Sequence, residues 1–254
     1  MEKNMHSCAF CGEAIARAPY ARRGEEYCCE GCFLKQKEFK TLRAERNEAY
    51  LALPEALVAA LDEREHNTGL HSKRVACHTL VLARRFTDDP GLLRQIYWGA
   101  LLHDIGKIGI SDSILLKPEP LSPGEWDVVR THPEKGFAIL AGVPFLAVAA
   151  QIVLCHEERF DGKGYAQGLA GEEIPLGARL FTVIDALDAM TSDRPYRKGI
   201  SFDEAWIEIV RLSGTQFDPV AVEAFAAEEA TFREMVDMKC GRMPIDAEKF
   251  RKGM

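Results

Sequence analysis

The chain has no apolar run long enough to cross a bilayer. Its longest, residues 145–155, falls well short of the about 20 residues a spanning helix needs. Residues 1–7 carry no apolar leader, so a cytoplasmic location is the default expectation. Positive charge is not in excess either. A net charge of −7 argues against a general polyanion binder, so neither nucleic acid nor a membrane is expected as a partner, and a homodimer is left open. What is there is 47% hydrophobic and 28% charged, the balance of a water-soluble globular protein.

Eight cysteines are spread unevenly: five lie within residues 8–32, and Cys77, Cys155 and Cys240 stand alone. Clustered cysteines without a leader point to metal more than to disulfides. Composition divides the chain into three regions. Residues 1–33 are Cys-rich with little periodic pattern, so apolar burial alone cannot give them a core. Residues 34–65 are highly charged and helix-prone, a helical connector that Pro54 is expected to interrupt. Residues 66–254 read as one all-α domain without a convincing run of alternating strands. Helical spacing covers residues 70–86. Leu92, Ile96, Ala100 and His103 share one helical face, and Gly106 is placed to stop that helix. Ser122 with Glu125 three residues on is a capping-box start. Pro144 can open a helix running to His156. Residues 179–190 are apolar nearly all round, which predicts burial. Residues 203–212 and 219–227 look like closing helices, and Gly-rich 161–171 must be a loop.

Polar residues interrupt these apolar helices at a few places. His103 and Asp104 end the helix of Ile96, Ala100 and Leu101. Cys155 and His156 end that of Ile152 and Val153. Asp185 sits between Ile184 and Ala186. Burying a lone carboxylate is costly unless it is paired or binds a metal, so these intrusions suggest a shared cation. His71 and His132 can complete the donor set. Imidazole and carboxylate together suit Fe, Mn, Zn or Ni, and a carboxylate can bridge two ions. Two ions about 3.5–4 Å apart would activate a water and stabilise the leaving oxygen of a phosphodiester. Adjacent His103 and Asp104 project about 100° apart and can reach one site, with Asp104 turned toward a second ion. Asp185 could instead pair with Arg179. His66 and His78 are set aside as surface or capping residues.

At His103-Asp-Ile-Gly-Lys107 the sequence resembles the HD-GYP phosphodiesterases of the HD superfamily. The matching motifs run in order from Thr68-Gly-Leu-His-Ser-Lys-Arg-Val75 and Leu101-Leu-His-Asp-Ile-Gly-Lys107 through Ile114-Leu-Leu-Lys117 and His132-Pro133. They continue with His156-Glu157, Asp161-Gly-Lys-Gly-Tyr165, Asp185-Ala-Leu-Asp-Ala-Met-Thr191, Asp193-Arg-Pro-Tyr-Arg197 and Gly214-Thr-Gln-Phe-Asp-Pro219. The resemblance implies an all-α HD-domain helical bundle that hydrolyses cyclic di-GMP to pGpG or GMP with two divalent ions, Fe or Mn. It implies that His71, His103, Asp104 and Asp185 hold one ion. Asp104 would bridge to a second, held by His132, His156 and Cys155. Lys107 would contact a non-bridging phosphate oxygen, Arg194 and Arg197 the substrate phosphates, and Gly164 and Tyr165 would shape the loop over the nucleotide.

The chain departs from that family in three places. Cys155-His-Glu157 stands where His-His-Glu is usual, so Cys155 is either a softer, oxidisable ligand or a weakness of the second site. Ala166 replaces the proline of the GYP signature. Asn67 occupies the position of an extra Glu ligand found in some members, so two ions are expected rather than three. At the N-terminus, Cys8 and Cys11 followed by Cys28, Cys29 and Cys32 read as a four-thiolate zinc site, with Cys28 or Cys29 as the fourth ligand. That pattern resembles treble-clef knuckles of the TRASH and FCS type, and either a structural staple or a sensor fits it. The competing functional readings are a degenerate cyclic dinucleotide receptor or protein-interaction module, and an HD phosphohydrolase for another nucleotide.

Overall fold

The computed structural model describes residues 7–15, 20–22, 25–27, 29–65, 70–193 and 198–238. The chain divides into two compact units, residues 1–53 and 54–254. In the first, Cys8 and Cys11 sit on a tight turn. The Gly12 amide donates to the Cys8 carbonyl, and the Cys8 amide donates to the Glu13 carbonyl. Gly12 has a φ of +74°, which glycine adopts without steric cost. A short antiparallel hairpin follows, β1 (Tyr20–Arg22) and β2 (Glu25–Tyr27). Helix α1 (Glu30–Glu65) then begins, carrying Cys32 in its first turn.

Pro54 does not interrupt α1, contrary to expectation. It forfeits the amide hydrogen bond to the carbonyl four residues back. Good helix formers on both sides, Leu51, Ala52, Leu53, Glu55, Ala56 and Leu57, carry the helix through.

Among its described residues, the second unit builds its regular elements from helices, joined by loops. Its elements are α2 (Leu70–Ala83), α3 (Pro90–Leu101), α4 (Asp112–Leu115), α5 (Pro123–Val129), α6 (His132–Leu140), α7 (Ala147–Cys155), α8 (Leu176–Thr191), α9 (Phe202–Arg211), α10 (Pro219–Ala227) and α11 (Glu229–Asp237). Local chemistry sets several starts. The Asp89 side chain accepts the Gly91 and Leu92 amides ahead of α3. Ser122 with Glu125 and Ser201 with Glu204 form capping boxes at α5 and α9. Residues 144–146 make a 3-10 turn before α7, so that helix starts later than Pro144 suggests.

α2 packs on α3 and α8, α3 on α7, and α6 on α7. Leu80, Leu82, Ile96, Leu101, Leu102, Phe181 and Phe225 are fully buried among them. Each such side chain contributes roughly 1.5–3 kcal/mol by leaving water. α8 runs through this core, as its all-round apolar sequence predicts. α3 ends at Leu101, and a 3-10 turn, Ile105–Gly109, follows. Gly106 lies in that turn, past the helix end it is expected to make. A Cβ there would stand 1.9 Å from the His132 carbonyl oxygen and 2.4 Å from the Gly136 nitrogen. The glycine is needed for close approach to α6.

Candidate metal centre

The ends of α3 and α7, the start of α6 and the middle of α8 all deliver polar side chains to one place. Donor atoms of His71, His103 and Asp185 lie within 4.8 Å of one another, as do those of Asp104, His132 and His156. His71 Nε2 stands 3.4 Å from Asp185 Oδ1. His132 Nε2 stands 3.0 Å from His156 Nε2. Asp104 joins the groups: Oδ2 is 3.1 Å from His103 Nε2, and Oδ1 is 3.5 Å from His132 Nε2.

The tautomers fit a cation. His103 Nδ1 faces the Ala100 carbonyl at 2.9 Å, His132 Nδ1 the Val129 carbonyl at 2.8 Å, and His156 Nδ1 the Val153 carbonyl at 2.7 Å. A carbonyl only accepts, so each Nδ1 carries the proton and each Nε2 offers its lone pair to the site. Two such lone pairs 3.0 Å apart cannot hydrogen-bond each other, but one positive ion satisfies both.

The electrostatics agree. Burial opposes charge on His103, yet Asp104 and Asp185 beside it push its imidazole up to about 9. Burial would raise Asp104, but His103 and Lys107 hold it well below the usual carboxylate range. Burial lowers His132 and His156, keeping them neutral ligands. The centre therefore combines the neutral imidazoles of His132 and His156 with carboxylate charge, which draws a proton onto His103 when no ion is bound and which a cation would answer in that proton's place.

Lys107 Nζ lies 2.6 Å from Asp104 Oδ2, beside the junction of the two groups. Asp185 does not pair with Arg179, whose guanidinium binds Asp218 at 2.5 Å. Cys155, an expected ligand, is not brought into either donor group. It is the last residue of α7 and is turned into the core, where burial pushes its thiol up to about 11. Arg194, Arg197, Asn67, His66 and Cys28 lie outside the described residues.

The family model described as HD domain matches residues 55–220, a span that holds every one of these donors. The chain belongs to the HD domain family. It is 38% identical over 212 residues to a cyclic di-GMP phosphodiesterase of Thermotoga maritima, covering 81% of this chain and 56% of that protein. It is 36% identical over 185 residues to 3'3'-cGAMP-specific phosphodiesterase 3 of Vibrio cholerae, covering 71% and 39%. The HD chain thus spans about half the length of the curated relatives it matches. A crystal structure of a cyclic GMP-AMP specific phosphodiesterase of V. cholerae superposes with a TM-score of 0.53 at 20% identity, over 74% of this chain and 52% of that one, a likeness of fold.

Sequence reasoning missed several residues of this HD centre. Asp188 accepts from Arg74 through both oxygens, at 2.6 and 2.9 Å, and its Oδ2 is 2.7 Å from His71 Nδ1. It therefore orients His71, and its signal was a second carboxylate one helical turn beyond Asp185. Glu157 Oε1 lies 4.0 Å from both His132 and His156. Buried Glu158 accepts the Gln167 and Gly168 amides, tying down the loop that carries Gly164 and Tyr165. His78, set aside as a surface or capping residue, is buried near Phe232, and among the described residues neither ring nitrogen has a hydrogen-bond partner. A cleft of about 740 Å³ opens beside the centre, lined in part by Arg130, His156, Glu157, Tyr165 and Asp185.

In the first unit, the sulfurs of Cys8, Cys11 and Cys32 lie within 4.8 Å of one another. Cys29 is exposed and outside that group. Among the described residues no helix is long and apolar enough to cross a membrane.

Proposed function

We propose that this chain is a metal-dependent phosphodiesterase that hydrolyses cyclic di-GMP to pGpG and GMP. The observation that carries the reading is the placement of Asp104, whose two oxygens face imidazoles of different donor groups. His71, His103, Asp104 and Asp185 would hold one divalent ion, and Asp104, His132 and His156 a second, Fe or Mn by the hardness of these donors. Once bound, the ions would supply Lewis-acid stabilisation of phosphate charge and a reactive water. Lys107 adds a fixed positive charge beside Asp104, placed to meet a non-bridging phosphate oxygen. Arg194 and Arg197 would bind the remaining phosphate charge. Gly164 and Tyr165 shape the loop at the cleft, whose volume is within the usual range for small-molecule sites.

The test is turnover of cyclic di-GMP and of 3'3'-cGAMP by the Mn- or Fe-loaded protein, with products separated by chromatography. Metal-dependent cleavage of cyclic di-GMP, lost in Asp104→Ala, is expected. Cleavage of 3'3'-cGAMP alone would reassign the substrate. Binding without cleavage would replace the enzyme with a receptor.

We infer also that Cys8, Cys11 and Cys32 hold one zinc, with Cys28 or Cys29 as fourth ligand. A small unit with one short hairpin needs such a staple. Loss of stoichiometric zinc from Cys8→Ser with unchanged phosphodiesterase rate would support a structural role, and a changed rate would support a sensor.

A further inference from the structure

Asp104, His132 and His156 give the second cation two imidazoles and one shared carboxylate, which leaves room for another donor. Two residues beside His156 could supply it. Cys155 closes α7 with its thiol buried at 2% exposure, outside the donor group. Glu157 comes just after the helix. Its Oε1 is equidistant, at 4.0 Å, from two nitrogens that are themselves 3.0 Å apart. Glu157 is outside that donor group as well, but its oxygen is within reach of an ion that both lone pairs could hold. Metal bonds of about 2.1 Å let donors stand up to about 4.2 Å apart across one ion, so all three atoms can share it.

The Glu157 backbone is held in place: the Tyr165 amide donates to the Glu157 carbonyl at 3.2 Å. The Tyr165 phenol is also an electrostatic neighbour of the Glu157 carboxylate. Gly164 makes this possible: a Cβ there would stand 2.4 Å from the Arg159 nitrogen and 2.5 Å from the Glu158 Cα.

We infer that Glu157, in place of Cys155, is the further protein ligand of the second cation, with Tyr165 as the positioning residue that aims it. This rests on the dinuclear reading above. The second site then has two imidazoles, two carboxylates and no thiolate. Such a set favours Mn(II) or Fe(II) over softer ions, and no ligand of it can be lost to thiol oxidation.

Mn(II) titration of the zinc-loaded full chain, read by the EPR signal of free Mn(II), tests this without an activity assay. Wild type and Cys155→Ser should each bind about two Mn(II). The near-isosteric Glu157→Gln, which keeps the size of the side chain, should weaken the second binding step at least about tenfold, and Glu157→His should restore it by returning a donor. Tyr165→Phe should weaken that step by about 10-fold to 100-fold and leave the first unchanged. Two unaltered binding steps in Glu157→Gln, or loss of a step in Cys155→Ser, would overturn the assignment while the dinuclear reading stands. A wild type that binds fewer than two Mn(II) overturns both.

Discussion

The two halves of the metal centre hold their imidazoles by different means. In the second half, His132 and His156 are tied through Nδ1 to carbonyls three residues back, and both are buried. In the first half, His71 is tied by the side chain of Asp188, which Arg74 clamps in turn. Side-chain exposure of His71 and Asp185 is 36% and 37%, against 2% for His132. A carbonyl tether is part of the backbone, so no substitution at another side chain deletes it. A carboxylate tether can be deleted or tuned. The first half is therefore the open, adjustable one, and the second is set by the packing of α6 against α7. His103 is tied like the second half but belongs to the first. Its ring centroid lies 5.4 Å from those of both His71 and His156.

The largest expected effect falls on both halves at once. Asp104→Ala removes the carboxylate that faces both groups and, with it, the Asp104–Lys107 ion pair. Loss of several kcal/mol of charge stabilisation corresponds to a fall of roughly a thousandfold in turnover. Calorimetric metal titration should show both binding steps weakened. If only one step changes, Asp104 belongs to one half and the two are not joined through it.

Gly106→Ala aims at the second half alone. The new methyl meets the His132 carbonyl and the Gly136 amide, both main-chain atoms of α6 that cannot rotate away. About 3 kcal/mol of destabilisation is expected in urea unfolding. The metal step that uses His132 should weaken more than the step that uses His71. Equal weakening of both would mean that α6 is not what sets the second half apart.

His103, Asp104, His156 and Asp185 stood out in the sequence because each is a polar intrusion on an apolar helix, whereas His71 and His132 entered only as residues able to complete the donor set. Such a signal is local: Ile96, Ala100 and Leu101 predict a buried face, and His103 breaks it. The capping box of Ser122 and Glu125 was legible for the same reason, since both partners lie within one turn. What was not legible depends on distance or direction. Arg74 and Asp188 are 114 positions apart, so nothing local marks them as partners. Cys155 and Glu157 flank His156, and only the path of the chain past the end of α7 decides which one faces the site. Gly106 looks like a helix stop, and only the presence of α6 reveals it as a point of close approach. His78 looks like any exposed histidine until α11 brings Phe232 against it.

His78 sharpens the comparison, because it shares α2 with His71 and has no tether. Burial pushes its imidazole down to about 4. An unfolded imidazole titrates near about 6.5. Between those values the unfolded chain takes up a proton that the folded chain refuses. The stability is therefore complete above about pH 6.5 and is lost as pH falls toward about 4, by about 3 kcal/mol in all. Urea unfolding at a series of pH values should show this loss in wild type and a flatter acid limb in His78→Leu. An unchanged acid limb in the variant would mean that His78 takes up its proton while folded.

The smallest effect is the one that best separates the halves. Asp188→Asn keeps the size of the tether and one acceptor oxygen but removes the charge shared by His71 and Arg74. The one remaining acceptor oxygen is contested by His71 Nδ1 and the Arg74 guanidinium, so the tautomer is fixed less firmly and the imidazole offers Nε2 to the ion for a smaller fraction of the time. Deleting such an outer partner weakens metal binding by about 10-fold to 100-fold. The loss should appear in the first binding step only, because His132 and His156 draw their orientation from carbonyls that the substitution does not touch. Turnover should return at saturating metal, since the donors themselves are intact. If both steps weaken together, the carboxylate tether supports the whole centre, and the two halves are one unit despite their different anchors.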